Sequence, residues 1–377
     1  NYYMSAYEDL KVLSDAAYYD RCNSMNYNRD NILQNHENTC IYNSKGANNT
    51  EIPLFKTLLT NKCVNDCKYC INCRGNKNMQ KSLTPEQLSS MFMKYYENSK
   101  VEGLFLSSAV AKNADLTMEE LIHTAHILRN KYSYKGYIHL KIIPGASYDD
   151  IKLAMQLSDR VSINIESATK DGLNDLATTK DYDKDILRRL SWISKIRRRH
   201  PDFAPSGHTT QVIVGANEEN DEQIISQTYK LKRKYHIENN YFSSFMPIEG
   251  TPLEDRKANN DVRTGRLYQT QNLFDSYKIG YDEIVFNDDG YLDLKYDPKY
   301  MIALENKHKY PIDINTAVYD DLIHIPGIGV KTAKTIIRMR QKGEKIKSMN
   351  QLKDMGANTN ACKTFIKINK SYQSTLF

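Results

Sequence analysis

The sequence predicts an α/β protein: a partial barrel of six strand–helix units followed by a small all-α domain. Three observations predict it. From residue 54 to about 244 short apolar runs alternate with amphipathic helical segments, the pattern of parallel strands joined by right-handed helical crossovers. At 377 residues the chain exceeds one average domain and suits a barrel-sized unit plus a small module. Its basic character sits at one end. Residues 325 to 377 hold 11 Lys or Arg against 2 Asp or Glu, a net of +9, while the whole chain is +6, so the remainder is net −3.

Taken in order, residues 1–50 carry a helical pattern around Tyr7 to Asp20, then an Asn-rich, turn-prone stretch with Cys22 and Cys40. This reads as an irregular N-terminal cover. The barrel, 51–248, has strands expected at 54–60, 101–107, 137–142, 160–165, 209–214 and 240–245, each dense in β-branched, Leu or aromatic residues. A connecting extension, 249–310, contains a helix from about 262 to 277; its composition fits a substrate lid and packing filler equally. Residues 311–377 form the helical domain. Trp192 is expected in the core, and the cluster Arg188, Arg189, Lys195, Arg197, Arg198, Arg199 and His200 on a solvated helix face rather than in a groove.

The most specific signal is the run CVNDCKYC, with Cys63, Cys67 and Cys70 spaced C-x3-C-x2-C directly after the first strand. Soft thiolates suit iron–sulfur clusters and zinc, and a set one short of four leaves an open coordination position, as catalysis needs. Three thiolates can hold three irons of a [4Fe-4S] cluster. Cys73 keeps two other readings open, a structural zinc knuckle and a cluster held by four thiolates. In α/β barrels the chemistry gathers at the C-terminal ends of the strands, where this loop falls.

The motif resembles that of the radical SAM enzymes. That resemblance implies a partial (β/α)6 barrel, a [4Fe-4S] cluster, S-adenosylmethionine (SAM) bound at the open iron, and an external electron donor such as a ferredoxin or flavodoxin. It implies that Tyr69, just before the third cysteine, lies against the adenine. Ser107 and Ser108 end the second strand where many members carry Gly-Gly-Glu, whose carbonyls receive the methionine amino group. Asn164 and Glu166 resemble the Asn-x-Asp run that grips the SAM ribose, and by period 2 they share a strand face. The fifth strand, with Gln211 and Gly215, resembles the GxIxG-type segment, where a glycine admits the backbone close to the adenine. On the third strand His139 and Lys141 share a face; pointing inward, they would reach the cavity and contact SAM or substrate. No residue is singled out as a catalytic acid or base.

The run Ile325-Pro326-Gly327-Ile328-Gly329-Val330-Lys331-Thr332-Ala333-Lys334 resembles a helix-hairpin-helix, a nonspecific DNA-binding element. Gly327 and Gly329 allow a tight hairpin whose backbone N–H groups can point at a phosphate, and Lys331 and Lys334 add charge. A second, degenerate copy is expected at 352–365 around Met355-Gly356. Hairpin plus cluster also occurs in DNA glycosylases of the endonuclease III type, where the lysine in the place of Lys331 is the nucleophile. Their cluster cysteines follow the hairpin, and a catalytic aspartate stands about 18 residues past the lysine by that resemblance; here the cysteines precede it and that region reads Lys347-Ser348-Met349.

From Asp15 to Cys22, through 102–108 and 137–141 to the hairpin, the chain is similar to a prokaryotic family described as putative DNA modification or repair radical SAM proteins. That implies DNA as the favoured substrate over tRNA or a small molecule, and a uracil-DNA-glycosylase-like partner. A structural hairpin on a small-molecule enzyme and a non-catalytic iron–sulfur DNA-binding protein are the alternatives. Seven cysteines without a secretory framework, and an oxygen-sensitive cluster, imply a cytoplasmic setting. No stretch approaches the ~18 consecutive apolar residues of a membrane span.

Overall fold

The computed structural model describes residues 2–19, 40–45 and 50–368. Cys22 and half of the expected N-terminal cover lie outside them. The chain divides into two compact units, one of residues 1–219 and 230–261, the other of 220–229 and 262–377.

The first unit is built on a seven-stranded sheet whose strands neighbour one another in chain order, a curled half-barrel. An antiparallel edge strand, β1 (Ile41–Lys45), precedes six parallel strands: β2 (Glu51–Leu58), β3 (Gly103–Ser107), β4 (Tyr137–Lys141), β5 (Arg160–Ser162), β6 (His208–Val214) and β7 (Asn239–Ser244). These are the six strands the sequence predicts, and β1 is an addition. The helices are α1 (Tyr2–Tyr18), α2 (Pro85–Glu97), α3 (Ala114–His126), α4 (Tyr148–Leu157), α5 (Lys170–Leu176), α6 (Arg188–Arg199) and α7 (Asp221–Tyr235), the last passing from the second unit to the first.

Helix starts follow from side chains that satisfy the first free N–H groups. Thr84 and Gln87 form a reciprocal capping box at α2, with Pro85 in the first turn. Asn113, Ser147 and Thr169 cap α3, α4 and α5. Helix α1 reaches β2 through Ser14, whose hydroxyl donates to that of Thr57 at 3.4 Å, and Asp9 pairs with Lys81 at 2.8 Å.

Strand alternation sorts the sheet into two chemically distinct faces. Phe55, Leu104 and Ile138 stand in one cross-strand row, and Leu106, Leu140 and Val161 in the next. All six are fully buried; Phe55 meets Phe92 and Tyr95 of α2 edge-on. The opposite face carries Lys56, Phe105, His139 and Arg160 in one row, and Ser107, Lys141, Ser162, Thr209 and Gln211 beyond it. His139 and Lys141 thus lie on the face turned away from the helical layer.

Trp192 is not core. It is half-buried, edge-on to Tyr148, with the Arg189 guanidinium over its ring at 4.7 Å. Arg189 also binds the carbonyls of Gly145 and Ala146, and Arg197 pairs with Glu238. These two therefore serve the fold, while Arg188, Lys195, Arg198 and Arg199 are exposed, as a solvated helix face requires.

The second unit holds α8 (Asp261–Ser276), α9 (Pro298–Glu305), α10 (Tyr319–His324), α11 (Val330–Gln341), α12 (Met349–Asp354) and α13 (Thr359–Cys362), with strands β8 (Ile312–Asp313) and β9 (Ile366–Lys367) paired in parallel. Most of the expected connecting extension packs in this unit: Asp221, buried, pairs with Arg263 at 2.7 Å and accepts from the Leu292 N–H at 2.9 Å. A core of Ile314, Leu322, Ile323, Ile325, Ile328, Ile336, Leu352 and Phe365 closes around α10 to α13. No helix of the described residues is long and apolar enough to cross a membrane.

Candidate active site and nucleic-acid interface

The cysteine loop leaves β2 and is held on two sides. Val64 N–H donates to the Val110 carbonyl at 2.8 Å, beyond β3. On the other side the segment after α5 grips it: Lys68 N–H donates to the Leu176 carbonyl at 2.8 Å, and Asp66 accepts from the Thr179 N–H at 3.1 Å and from the hydroxyls of Thr178 and Thr179. Successive turns, Cys70 N–H to the Cys67 carbonyl and Cys73 N–H to the Cys70 carbonyl, each 3.0 Å, coil the loop.

Burial pushes the Cys67 and Cys70 thiols up, and the neighbouring sulfurs act on both in the same direction. A bound cation centre would reverse that balance and hold them as thiolates. Among the described residues no three His, Cys, Asp or Glu side chains meet around a single ion; a cluster that takes each sulfur on a different iron has no such requirement. The residues fit a cluster with one open iron. Cys73 is buried, its thiol directed at the Arg74 carbonyl at 3.7 Å.

Lys180 is the site residue that the sequence reading missed. Its ammonium donates to the Tyr69 hydroxyl at 3.4 Å and lies 3.8 Å from the Glu166 carboxylate. Burial alone would lower its pKa, but the Cys67 thiolate and Glu166 carry it above the ordinary lysine value. Neither periodicity nor spacing signals a lysine that lies four residues past a helix end. Tyr69 packs on Leu176, Ile213, Ala216 and Phe245, an apolar patch beside the ends of β6 and β7.

Glu166 is buried and has a left-handed backbone, φ 62°, a conformation that costs a residue of its type about 1–3 kcal/mol and collects at functional sites. The expected strand over 160–165 ends early, at Ser162. Beyond it the Thr210 hydroxyl accepts from the Ile165 N–H and donates to the Ile163 carbonyl, and the ladder resumes with Glu166 N–H on the Gln211 carbonyl. Simple period-2 alternation from Asn164 to Glu166 is therefore broken, although both side chains are buried.

At β3 the Ser107 carbonyl accepts the Leu59 N–H at 3.0 Å, and the Ser108 hydroxyl donates to the Ala109 carbonyl at 2.7 Å. Lys141 faces the Phe105 ring at 6.0 Å and Lys56 faces it at 4.8 Å; His139 lies tilted against it, ring centres 3.9 Å apart, and shares a 2.8 Å hydrogen bond with the Ser162 hydroxyl. At Gly215 φ is +91°, and a Cβ there would meet Asn259 at 2.8 Å, so the turn after β6 itself requires glycine.

In the second unit Gly327 has φ +82°, and a Cβ on it would strike the Asn358 carbonyl at 2.4 Å. Gly327 accepts from the Asn358 N–H at 2.8 Å, while Thr332 donates to the Met355 carbonyl at 3.2 Å. The α10–α11 and α12–α13 hairpins thus interlock, and the degenerate second copy is present, turning at Gly356 with φ +95°. Lys331 and Lys334 are exposed on α11. Gly329 stands at its N-terminus, and a Cβ there would lie 3.7 Å from the Tyr277 hydroxyl.

Residues 57–226 match the model of the radical SAM superfamily, and 307–357 match a helix-hairpin-helix motif. The chain carries a radical SAM domain. That superfamily uses a [4Fe-4S] cluster and S-adenosylmethionine, and cysteines that suit the cluster are present in the matched segment. Curated relatives include two tRNA-2-methylthio-N(6)-dimethylallyladenosine synthases of Clostridium botulinum, from strain Hall at 24% identity and strain Langeland at 23%, each over 65% of this chain. The chain spans 55% of their length. Similar solved structures include the FeFe-hydrogenase maturase HydG from Carboxydothermus hydrogenoformans, 14% identical with TM-score 0.46 over 57% of this chain and 49% of that one. Methylornithine synthase is 16% identical with TM-score 0.44 over 57% and 61%.

Proposed function

We propose that this chain is a radical SAM enzyme that modifies or repairs a nucleic acid. The observation that carries this reading is the joining, in one chain, of a thiolate loop clamped beside Glu166 and Lys180 with an interlocked pair of hairpins bearing exposed lysines.

Cys63, Cys67 and Cys70 would hold the cluster. Bound there and reduced by a ferredoxin or flavodoxin, the cluster would supply the single electron for reductive cleavage of S-adenosylmethionine, and with it radical hydrogen abstraction from substrate. The chain's own residues bind and orient. Tyr69 and the patch of Ile213 and Ala216 offer the adenine an apolar wall. Glu166, with Asn164, suits the vicinal ribose hydroxyls, because a carboxylate accepts both protons. Ser107, Ser108, Gln211, Gly215 and Lys141 are the remaining cofactor contacts in this reading. Lys180 offsets thiolate charge.

Gly327, Gly329, Lys331 and Lys334 would take the phosphate backbone. The hairpin motif favours DNA, and a target base in a duplex must be flipped or unpaired to meet a barrel mouth. A repair setting would fit a uracil-DNA-glycosylase-like partner. The curated relatives, synthases of a modified tRNA adenosine, support tRNA as a second reading.

Anaerobically reconstituted protein, given S-adenosylmethionine and reductant, tests both. 5'-Deoxyadenosine release that rises with DNA supports the first reading, and a rise with tRNA alone supports the second. No release from cluster-loaded protein with any nucleic acid overturns both.

A further inference from the structure

The first hairpin contains a feature that its lysine-bearing surface does not explain. Lys299, on the first turn of α9, reaches beneath the turn between α10 and α11. Its ammonium donates to the Ile323 carbonyl at 3.0 Å and to the Ile328 carbonyl at 2.6 Å, and lies 4.7 Å from the centre of the Tyr277 ring. Ile323 belongs to the end of α10, where carbonyls have lost their helical partners; Ile328 lies across the turn, two residues before α11 begins. Two carbonyl oxygens and an aromatic face converging on one point form a cation's environment. Burial holds the lysine's pKa down at about 8, while Asp297 and the Cys362 thiol pull it upward, so the group is charged at neutral pH.

We propose that Lys299 is a resident cation of the hairpin: tethered by its own side chain, it takes the place that a monovalent metal ion would fill between the Ile323 and Ile328 carbonyls. It thereby fixes the turn that presents the N-terminus of α11 to a nucleic-acid phosphate. Lys299 is a positioning residue. Tyr277 completes the brace: its ring faces the ammonium, and its carbonyl accepts from His324 at 3.0 Å. The hairpin then needs no ion from solution, and wild-type affinity for nucleic acid depends on ionic strength but not on which monovalent cation supplies it.

The inference rests on the proposed nucleic-acid role, and its test separates the two. Full-length wild type, Lys299→Met and Lys299→Arg are compared in KCl and in tetramethylammonium chloride at equal ionic strength. The readouts are thermal unfolding and binding of a labelled duplex. Wild type should behave alike in both salts. Lys299→Met should bind about tenfold more weakly in tetramethylammonium, the cost of one charge-assisted hydrogen bond, and recover in KCl as potassium enters between the carbonyls. Lys299→Arg should stay indifferent to the cation. A Lys299→Met protein equally impaired in both salts, or unimpaired in both, overturns the assignment. Should wild type bind no nucleic acid, that reading fails alone: unfolding still decides the cation site, since only Lys299→Met should melt higher in KCl.

Discussion

The Lys180 ammonium lies 3.8 Å from the Glu166 carboxylate, with 11% of either side chain exposed. Both belong to the same enclosure as Cys67, so a cation and an anion flank the thiolate from two different loops. Breaking a buried pair by removing one partner leaves an uncompensated charge and is far more disruptive than the pair's net worth.

Lys180→Met should still load iron, because no cysteine is lost. Withdrawing a positive charge from beside the thiolates makes adding an electron to the cluster harder. The expected outcome is a more negative midpoint potential in a spectroelectrochemical titration. An unchanged potential in the loaded variant would place Lys180 outside the cluster's electrostatic reach.

Cys67→Ala should abolish the cluster and S-adenosylmethionine cleavage together. Cys73→Ala should retain both, since its thiol is directed at the Arg74 carbonyl. Iron and sulfide analysis after reconstitution distinguishes them, and loss of iron in Cys73→Ala would restore the four-thiolate reading.

Lys331→Glu should weaken binding of DNA or tRNA about equally across sequences and lower the salt slope by about 1. Basal S-adenosylmethionine cleavage should be untouched. A slope equal to that of wild type would remove α11 from the interface.

His208 donates from Nε2 to the Tyr235 carbonyl at 2.8 Å, and its buried Nδ1 has no partner among the described residues. Burial holds its pKa down at about 4. The folded state therefore binds this proton more weakly than the unfolded chain does. The stabilisation is full above about pH 6.5 and is lost as pH falls toward 4, amounting to about 3 kcal/mol below that. Denaturant midpoints near pH 7.5 and near pH 4.5 should differ in wild type and differ less in His208→Gln. Equal pH dependence in the two proteins would refute the assignment.

The six parallel strands were legible because each is an apolar run closed by turn residues, and the cysteine spacing marked where chemistry sits. The breakdown of alternation after Ser162 was not legible, since it depends on the Thr210 hydroxyl, 45 residues from Ile165, replacing a backbone partner. Lys180 was invisible for the same reason: its role comes from a loop more than a hundred residues from Tyr69. Trp192 misled because size and apolarity suggest a core, whereas its ring serves as a platform for Arg189. Gly327 was read correctly as a turn glycine, but the close approach of Asn358 that also demands it is tertiary.

The grip of residues 176–180 on the cysteine loop makes the C-x3-C-x2-C motif a product of long-range folding rather than a portable peptide. A segment spanning Cys63 to Cys73, transplanted or synthesised alone, would keep its sulfurs and lose the partners of Asp66, Lys68 and Tyr69. On the ribosome the same dependence sets an order of events: the loop has its receiving shape only after Lys180 has emerged, so iron delivery belongs after the barrel's fourth parallel strand.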